Sequence, residues 1–544
     1  MVAELTPTQQ RCQDPSFVAK FSFPALLAIL PLSLPVPDNT PASPKRRYRS
    51  QYVYLGYQDL RDRSLWPVLS LFDLALRLID FSSLEAPLAH KVYSPSAKGQ
   101  TPFHPASMFL LFSWRLDNKW NRVESLRKLA NPANADYRQR FGFSEGIYPT
   151  EGGLRYFETQ LGCESGNDLI VQTVRLAQAA HCISKEATLH GIFTVDGMIH
   201  DAASRLNCKS VGEACYQPAP RPCRAKEEKG RRGCDCDEIA CAAVCKHATP
   251  RDPEARFIVY QGHNQTDSPN SPHPSQSSSE KAKSSSGKPR YGYRSVCGRL
   301  LDPVFRTSWV LADELLSATA PEDQTAATLM KSVVSDCGWV NWQFAVADAG
   351  EGREPFLSTA YKLGLRRVVG LRATEGDRKR EVQEVRGYDD KGIPLCQHGY
   401  RLHPNGWDSK RRRHKWCCRR TCEAETERLA PDCPFRRSKN KHGLARTIGL
   451  AFRDKSTRLV RDVPYGSPLW KRLYGRGRNA AEERNSQFEA LGLKRMPVYG
   501  WQRVRATVTV VDVWVNLTTI MRLIREAVMA AGGPSPPQED ILPG

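Results

Sequence analysis

Two apolar stretches that each lead into an aspartate, IFTVDG at residues 192–197 and FAVADAG at residues 344–350, decide the fold of this chain. Short apolar runs rich in β-branched and aromatic residues predict buried strands, and Asp196 and Asp348 fall where those strands are predicted to end. A third carboxylate, Glu482, stands in the helix-like sequence RNAAE at residues 478–482. Carboxylates in the order strand, strand, helix predict a two-metal phosphoryl-transfer site.

Carboxylates held at strand ends are rigid enough to bind a pair of Mg²⁺ or Mn²⁺ ions. Two such ions about 4 Å apart activate the attacking oxygen and hold the leaving oxygen of an in-line displacement at phosphorus. The alternative is structural. The chain has 58 Asp and Glu residues, and a lone aspartate at a strand end is usually a turn or cap residue. The apolar context of these three carboxylates favours the metal site.

The charge of the chain favours a polyanionic partner. At 544 residues and a formal charge of +21, the chain is long enough for about three domains and attracts nucleic acid before other partners. An acidic membrane surface is the competing polyanion, but the sequence has neither a long amphipathic basic helix nor a lipidation motif. We therefore expect nucleic acid as the partner and no membrane association.

Cysteine usage and the N-terminus indicate a reducing compartment. The apolar residues 21–36 are interrupted by Pro24, Pro31 and Pro35, which favours a Pro-rich tail over a signal peptide. The 17 cysteines are clustered and mixed with histidines, as expected of thiols and metal ligands rather than disulfides. The expected location is cytoplasmic, in association with the nucleoid.

Hydrophobic periodicity predicts an α/β chain with a helical N-terminal part. Helices are expected over 68–79, 105–116, 120–130, 133–141, 150–161, 168–181 and 322–335, from about 479, and over 508–529. Strands are expected to end at Asp196 and Asp348 and to cover 256–260, 304–311 and 365–373, with 450–463 returning to the sheet. A ligand site is expected at the carboxyl ends of the strands.

Three pieces of the chain resemble the DDE transposases of bacterial insertion sequences, which have an RNase H-like catalytic core. The first runs from HPASM (104–108) through RQRFG (138–142) to LRYF (154–157) and is similar to their N-terminal helical domain. The second is the aspartate pair, in VDG (195–197) and ADAG (347–350). The third, residues 474–494, resembles the family's Tyr-Arg-Glu-Lys signature around the last carboxylate. The resemblance extends from about residue 60 to residue 525.

The resemblance implies a role for each carboxylate. Asp196 would bridge both metal ions, Asp348 would hold one ion on the leaving-group side, and Glu482 would complete the shell of the other. Arg478 keeps the Arg-x₃-Glu spacing that puts it on the same helix face as Glu482, where it would neutralise a phosphate oxygen. Glu483 is left open as a substitute for Glu482.

The signature has two departures from the family pattern. Tyr474 lies one residue further from Arg478 than is usual, and Glu489 stands at the position of the signature lysine. Lys494 is the alternative to that lysine. Tyr474, Arg478 and Lys494 are therefore the expected DNA-contacting residues of this segment.

A Cys/His-rich and basic insertion follows Asp348. Its densest run, CCRRTC at residues 417–422, predicts a structural Zn²⁺ site, for which Cys396, Cys418, Cys422 and Cys433 are the expected ligands. The alternative is a set of free thiols packed as small hydrophobic side chains. Arg411, Arg412 and Arg413 form either a phosphate-contacting finger or a solvated loop, and their density favours DNA.

Three further groups of residues were weighed as sites. The cluster from Cys208 to His247 is a weaker candidate for a second zinc because its spacing is irregular. His200 and Asp201 follow the first aspartate and are either extra ligands or capping residues. The helical region carries a basic and aromatic face that suits either DNA backbone contact or plain solvation: Trp120, Arg122, Arg127, Lys128, Tyr137, Arg138, Arg140, Arg155 and Tyr156.

Together these expectations describe an RNase H-like α/β catalytic domain with a mixed sheet, preceded by an all-helical domain and interrupted by a Cys/His-rich insertion. The predicted boundaries are a disordered Pro-rich basic arm (1–50), a helical DNA-binding domain (51–165), the first catalytic part (166–380) with a Cys-rich insertion (205–250) and a disordered linker (264–290), a zinc-ribbon-like basic insertion (381–445), the second catalytic part (446–530) and a disordered tail (531–544).

The function implied by the resemblance is cleavage of insertion-sequence ends and strand transfer into target DNA, with double-stranded DNA as the partner and a homodimer or a larger synaptic complex as the working assembly. Two alternatives remain open at the level of the sequence. One is a nuclease of related fold that only hydrolyses DNA, and the other is a non-catalytic DNA-binding protein derived from a transposase.

Overall fold

The structure is a computed structural model that describes part of the 544-residue chain. The described residues are 29–36, 46–93, 100–203, 252, 254–260, 288–348, 350–370, 387–388, 394–395, 400–408, 413–417, 448–451, 463 and 468–530. The predicted zinc ligands Cys396, Cys418, Cys422 and Cys433 lie outside these residues, as do Arg411, Arg412 and the cluster from Cys208 to His247.

The N-terminal part is helical, as the periodicity predicted. Four short 3₁₀ turns, Gln58–Arg61, Arg63–Leu65, Ser82–Leu84 and Pro132–Asn134, connect its elements. The others are β1 Leu32–Ser33, α1 Leu71–Leu78, β2 Ile79–Asp80, α2 Glu85–Val92, α3 Pro105–Asp117, α4 Arg122–Ala130, α5 Ala135–Arg140 and α6 Glu151–Leu161. Side-chain caps fix where several of these helices begin: Ser70, Asn121 and Thr150 each accept a hydrogen bond from a backbone N–H of the first turn.

The middle of the chain alternates strands and helices. Its elements are α7 Asn167–Ala179, α8 Lys185–Leu189, β3 Gly191–Asp201, β4 Arg256–Tyr260, β5 Lys288–Asp302, β6 Thr307–Ser317, α9 Glu322–Asp336, β7 Trp342–Ala347, α10 Glu354–Lys362 and β8 Arg366–Val369. Short strands follow: β9 Gly387–Tyr388, β10 Pro394–Leu395, β11 His403–Asp408, β12 Arg413–Cys417 and β13 Ile448–Ala451. Two long helices, α11 Pro468–Ala490 and α12 Trp501–Ala530, complete the described chain.

The main sheet has six strands and is mixed, which confirms an α/β fold with a mixed sheet. The strand order is β4-β5-β3-β7-β8, and β6 also pairs with β5. β4, β3 and β6 are antiparallel to β5, whereas β7 pairs with β3, and β8 with β7, in parallel. The sheet therefore joins an antiparallel meander to a parallel half, and β3 is the strand that belongs to both.

Three expectations about strands were wrong. Strand β3 does not end at Asp196 but continues to Asp201, because β5 pairs with it as far as Gly292 and Lys494 accepts a hydrogen bond from its last N–H. Strand β5, the centre of the meander, was not predicted, since its basic residues and glycines hide the apolar alternation. Strand β13 does not return to the main sheet but pairs with β12 in a separate three-stranded antiparallel sheet.

Alternation along the strands gives the sheet two distinct apolar faces. Phe193 and Ala345 belong to the main core, while Ile192, Phe344 and Val346 belong to a smaller cluster under α11. Helix α11 approaches closely, because a Cβ on its Gly477 would stand 2.6 Å from Cγ1 of Val346. The side chains of Asp196 and Asp348 share the parity of this smaller cluster, so they point to the face that α11 covers.

Helix α12 is the central helix of the main core. It is long and apolar enough to cross a membrane by composition, yet 83% of its most apolar window is buried inside the protein, as in the core helix of a globular protein. Asn516 fastens it to β6, because its amide accepts from Val310 N at 2.9 Å and donates to Val310 O at 2.8 Å. Helix α12 also packs against α1, α3, α6 and α7, so a single buried core links the N-terminal helices to the sheet.

Three members of the predicted basic face form contacts within the helical part. Arg122 donates to the buried carboxylate of Glu158 at 2.9 Å, and Tyr137 donates to Asp73 at 2.6 Å. Arg140 pairs with Asp136 at 3.0 Å. These side chains have intramolecular partners, which favours the structural interpretation of this face, and DNA contact by its other members stays a prediction.

Candidate metal centre

The two aspartates lie side by side because of the register between β3 and β7. In this parallel pair Thr194 is opposite Val346 and Val195 is opposite Ala347, so the next residues along both strands are Asp196 and Asp348. Neighbouring strands are about 4.8 Å apart, and residues in register point to the same face. The sheet therefore brings together two carboxylates that are far apart in the sequence.

Glu351 completes a group of three carboxylates. After Asp348 the chain turns back on itself, and the backbone N–H groups of Gly350 and Glu351 donate to Oδ1 of Asp348, the latter at 3.2 Å. This turn directs Glu351 toward the aspartates. One ligand oxygen from each of Asp196, Asp348 and Glu351 lies within 4.8 Å of the other two, so the three can hold a metal ion.

One oxygen in this group lacks a hydrogen bond. Glu351 is only 2% exposed, and its Oε2 has no hydrogen-bond partner among the described residues. A buried carboxylate oxygen without a partner carries a full desolvation cost. A divalent cation removes this cost directly, since hard cations prefer carboxylate oxygens.

Two glycines keep a space open between the carboxylates. A Cβ on Gly350 would stand 2.9 Å from Oδ1 of Asp348 and 3.1 Å from Oε2 of Glu322. A Cβ on Gly197 would stand 3.3 Å from Oε1 of Glu322 and 3.3 Å from Oε1 of Glu351. Any other residue at Gly350 would place a carbon in this oxygen-lined space. The donor set, the unpartnered oxygen and this space all fit a divalent metal ion.

The electrostatics of the group also favour a cation. Burial, and then the nearby charge of Asp348, raise the pKa of Asp196 to about 7. Burial and Asp348 likewise raise the pKa of Glu351 well above its usual range. Both shifts have the same physical cause: carboxylates removed from water lie beside each other without enough positive charge. A bound divalent cation supplies that charge.

A fourth carboxylate and an arginine border the group. Glu322 is the first residue of α9, and its Oε1 is 2.6 Å from Nη1 of Arg294 on β5. Both side chains line the same cavity as Asp196, Asp348 and Glu351. Among the described ion pairs, this one brings the positive charge of Arg294 next to the group of carboxylates.

Helix α11 closes the other side of the site and is held rigidly. Asn485 donates from Nδ2 to Oδ2 of Asp196 at 2.9 Å. The adjacent Arg484, 2% exposed, makes two 2.7 Å hydrogen bonds to the carboxylate of Asp512 on α12, and Arg299 on β5 donates to the carbonyl of Ala480. Buried bidentate contacts of this kind fix the helix against the sheet.

The remaining predicted catalytic carboxylate, Glu482, lies on the rim. Its side chain is 61% exposed and pairs with Arg478 at 3.0 Å. It lines the cavity but lies outside the group whose ligand oxygens are within 4.8 Å. Glu483, the predicted substitute, points elsewhere and pairs with Arg522 at 3.6 Å.

The predicted DNA-contacting residues of α11 and its following turn line the same cavity. Tyr474, Arg478 and Lys494 are all present in its wall. The ring of Tyr474 stacks on Trp470 with centroids 4.4 Å apart. Lys494 pairs with Glu489 at 2.7 Å. Arg413 begins β12, in the separate sheet.

His200 is a structural residue in this arrangement. It is fully buried, and its ring nitrogens contact the carbonyl of Leu493 at 3.2 Å and Oγ of Ser295 at 2.8 Å. Asp201 exchanges backbone hydrogen bonds with Lys494 and Met496. Both residues therefore tie β3 to the segment after α11.

The cavity above the carboxylates has a volume of about 630 Å³ and is open on one side. Its floor is acidic, while its rim carries an aromatic ring and two basic side chains. Such a site can hold a divalent cation at the bottom and a negatively charged group above it.

Sequence reasoning missed Glu351, Glu322 and Asn485. Glu351 left one readable signal, since it stands between two glycines, in GEG at residues 350–352, directly after the second aspartate. Flanking glycines allow the tight turn that returns a side chain to the strand end. Glu322 and Asn485 left none, because each reaches the site from a helix whose position depends on tertiary packing.

Comparison with protein-family models and with curated protein sequences finds no match to this chain.

Proposed function

We propose that this protein catalyses metal-dependent phosphoryl transfer on DNA and acts as a transposase of the DDE type. The observation that carries the proposal is the convergence of Asp196, Asp348 and Glu351, with ligand oxygens within 4.8 Å of one another. The unpartnered buried oxygen of Glu351 and the raised pKa values of Asp196 and Glu351 are those of a site that requires a cation. The resemblance to insertion-sequence transposases supplies the substrate class.

In this proposal the floor of the cavity binds the cation and its rim contacts the DNA. Asp196, Asp348 and Glu351 would hold Mg²⁺ or Mn²⁺, which supplies Lewis-acid stabilisation of charge at phosphorus and a more acidic attacking water or hydroxyl. Asn485 orients Asp196 through its 2.9 Å hydrogen bond. Arg478 and Lys494 would contact backbone phosphates, and the ring of Tyr474 offers a stacking surface for a base.

Glu482 takes a different place in this proposal from the one the resemblance implies. It pairs with Arg478 and is largely exposed, so it balances the charge of the phosphate-contacting arginine. Glu351 supports the cation in its stead. The net charge of +21 favours a long polyanion over a small phosphate ester as the substrate.

Cleavage of DNA by the full-length protein tests the proposal. The substrate is a plasmid carrying the DNA that flanks the coding region, incubated with Mg²⁺ and, separately, with EDTA. Asp196→Asn and Asp348→Asn are expected to lower cleavage by at least about 100-fold, because even the loss of an outer-shell partner costs 10–100-fold. Asp336→Asn is the matched control, since Asp336 is at the far end of α9 and bonds Ser332. Cleavage that survives both substitutions, or that is insensitive to EDTA, would contradict the proposal.

A hydrolytic nuclease is the second candidate, and the position of Glu482 favours it. A cluster completed by Glu351 departs from the carboxylate set of the resembled transposases. Joining of a pre-cleaved 3′-hydroxyl end to a target plasmid separates the two functions. Joined products support the transposase, and Mg²⁺-dependent cleavage without joined products supports the nuclease.

A further inference from the structure

Glu322 faces the same oxygen-lined space as the three clustered carboxylates. Its Oε2 and Oδ1 of Asp348 lie 3.1 and 2.9 Å from the point where a Cβ of Gly350 would stand. Its Oε1 and Oε1 of Glu351 each lie 3.3 Å from the corresponding point at Gly197. Glu322 therefore borders the space that the two glycines leave open, although its oxygens lie outside the group whose ligand oxygens are within 4.8 Å of one another.

Arg294 occupies the position of a counter-charge to Glu322. Its Nη1 is 2.6 Å from Oε1 of Glu322 and 3.3 Å from the carbonyl of Ala320. Its Nε is buried without a hydrogen-bond partner among the described residues. The pair is mostly buried, with side chains 13% and 20% exposed, so the contact lies within the cavity wall and not on the outer surface.

The charges of this floor are unbalanced. Four carboxylates, those of Asp196, Glu322, Asp348 and Glu351, line the cavity floor beside one guanidinium, that of Arg294. The unpartnered Oε2 of Glu351, on a side chain that is 2% exposed, shows that this floor lacks a partner for its negative charge. A single divalent cation at the three-carboxylate cluster would leave Glu322 paired with Arg294 and without a metal contact.

We propose that Glu322 is a fourth cation ligand of this site, and that Arg294 is an internal counter-charge that neutralises Glu322 until a second cation binds beside Glu351 and Asp348. The inference rests on the metal site of the proposed function and is independent of its DNA substrate. Exchanging Arg294 for a cation requires a movement of the Glu322 side chain only, because Glu322 is the first residue of α9 and the helix itself can stay in place.

Direct counting of bound Mn²⁺ tests the inference. The full-length protein, freed of bound metal with EDTA and desalted, is titrated with Mn²⁺ without DNA, and free Mn²⁺ is measured by electron paramagnetic resonance. The wild-type chain is expected to bind two ions in the cavity. Glu322→Gln is expected to keep the tighter ion and to weaken the second at least about tenfold, as loss of one charged ligand does.

Arg294→Gln gives the opposite expected sign. Without the competing guanidinium, the second ion is expected to bind more tightly than in the wild type, by about tenfold. Glu314→Gln is the matched control, because Glu314 also forms a partly exposed pair with an arginine, Arg505, at 3.5 Å but does not line the cavity. Thermal unfolding of each variant verifies that it is folded.

Each outcome of these titrations either supports or overturns a part of the inference. Two sites of wild-type affinity in Glu322→Gln would overturn the inference while leaving the proposed function intact. Weaker binding in a folded Arg294→Gln would show that Arg294 supports the site and does not compete for it. A wild-type chain that binds no Mn²⁺ in the cavity at millimolar concentration would instead contradict the metal site of the proposed function.

Discussion

The floor and the rim of the cavity both carry carboxylates, but those of the floor are crowded together whereas those of the rim are paired with basic side chains. On the floor, Asp196, Asp348 and Glu351 are crowded together, and one buried oxygen lacks a hydrogen-bond partner among the described residues. On the rim, Arg478 pairs with Glu482 at 3.0 Å and Lys494 pairs with Glu489 at 2.7 Å. Without a cation the floor has more negative than positive charge, whereas the rim is electrically neutral without a ligand.

This difference separates cation binding from phosphate contact, two roles that the motif around Arg478 and Glu482 places on one helix. A carboxylate that is exposed and already paired gains little from a metal ion, since exposed pairs contribute about 0–1 kcal/mol and remain solvated. A buried carboxylate beside two others gains much more. The comparison therefore assigns cation binding to the sheet and its adjoining turn, and phosphate contact to α11.

The largest expected effect concerns the buried ion pair of Arg484 and Asp512, which fixes α11 against α12. Asp512→Ala leaves the buried guanidinium of Arg484 without its bidentate partner, which is expected to cost about 3–5 kcal/mol of unfolding free energy. The double variant Arg484→Met with Asp512→Leu is expected to recover most of that loss, because it removes both charges. Urea unfolding measures the stability of both variants. Equal stability of the double variant and Asp512→Ala would contradict the stabilising role of this ion pair.

The second effect compares one carboxylate from the floor with one from the rim. Glu351→Gln is expected to weaken Mn²⁺ binding by at least about 100-fold, because it removes a buried ligand. Glu482→Gln is expected to change it by less than about threefold, because exposed pairs contribute little. Isothermal titration of the full-length protein measures both affinities. The reverse ranking would restore Glu482 as the third metal ligand.

The third effect is the pH dependence of the cation-free protein. Asp196 has a pKa of about 7 in the folded chain against about 4 when unfolded, so the folded state binds more protons between these values. The contribution of Asp196 to the unfolding free energy is therefore fully present below about pH 4 and is lost as the pH rises to about 7.

Thermal unfolding in EDTA between pH 5 and pH 8 measures this loss. Saturating Mg²⁺ is expected to remove part of it, since the cation stabilises the charged carboxylates. The variant Asp196→Asn is expected to reduce the loss, and the remainder is expected from Glu351, whose pKa is also raised. A cation-free protein that is more stable at pH 8 than at pH 5 would contradict the crowded-carboxylate description.

The smallest effect tests the open space between the carboxylates. Gly350→Ala places a Cβ 2.9 Å from Oδ1 of Asp348 and is expected to weaken cation binding by about tenfold while the fold is retained. Gly338→Ala is the control, because no atom lies within 4 Å of a Cβ there. Equal Mn²⁺ affinity in both variants would show that the space is not used.

The sequence revealed the parts of the fold whose signals are local. Continuous apolar runs located β3 and β7, and the aspartates followed because register in a parallel pair is set by the strands themselves. The apolar stripes of α3 and α6 predicted those helices closely. These elements depend on side chains within one stretch of chain.

The parts that escaped prediction depend on contacts between distant stretches. Strand β5 carries Arg294 and Arg299, which look exposed in sequence but are buried against Glu322 and the carbonyl of Ala480. Glu351 belongs to a turn whose direction follows from backbone hydrogen bonds to Asp348. Glu482 matched a spacing, yet spacing on a helix fixes a face and not the distance from that face to the sheet.

Anomalous diffraction from a crystal of the full-length protein soaked in Mn²⁺ tests the central claim most directly. The account predicts a manganese peak bonded to carboxylate oxygens of Asp196, Asp348 and Glu351 at about 2.1–2.3 Å, with Glu482 still paired to Arg478. A peak coordinated by Glu482 and not by Glu351, or no peak between the two aspartates, would contradict it.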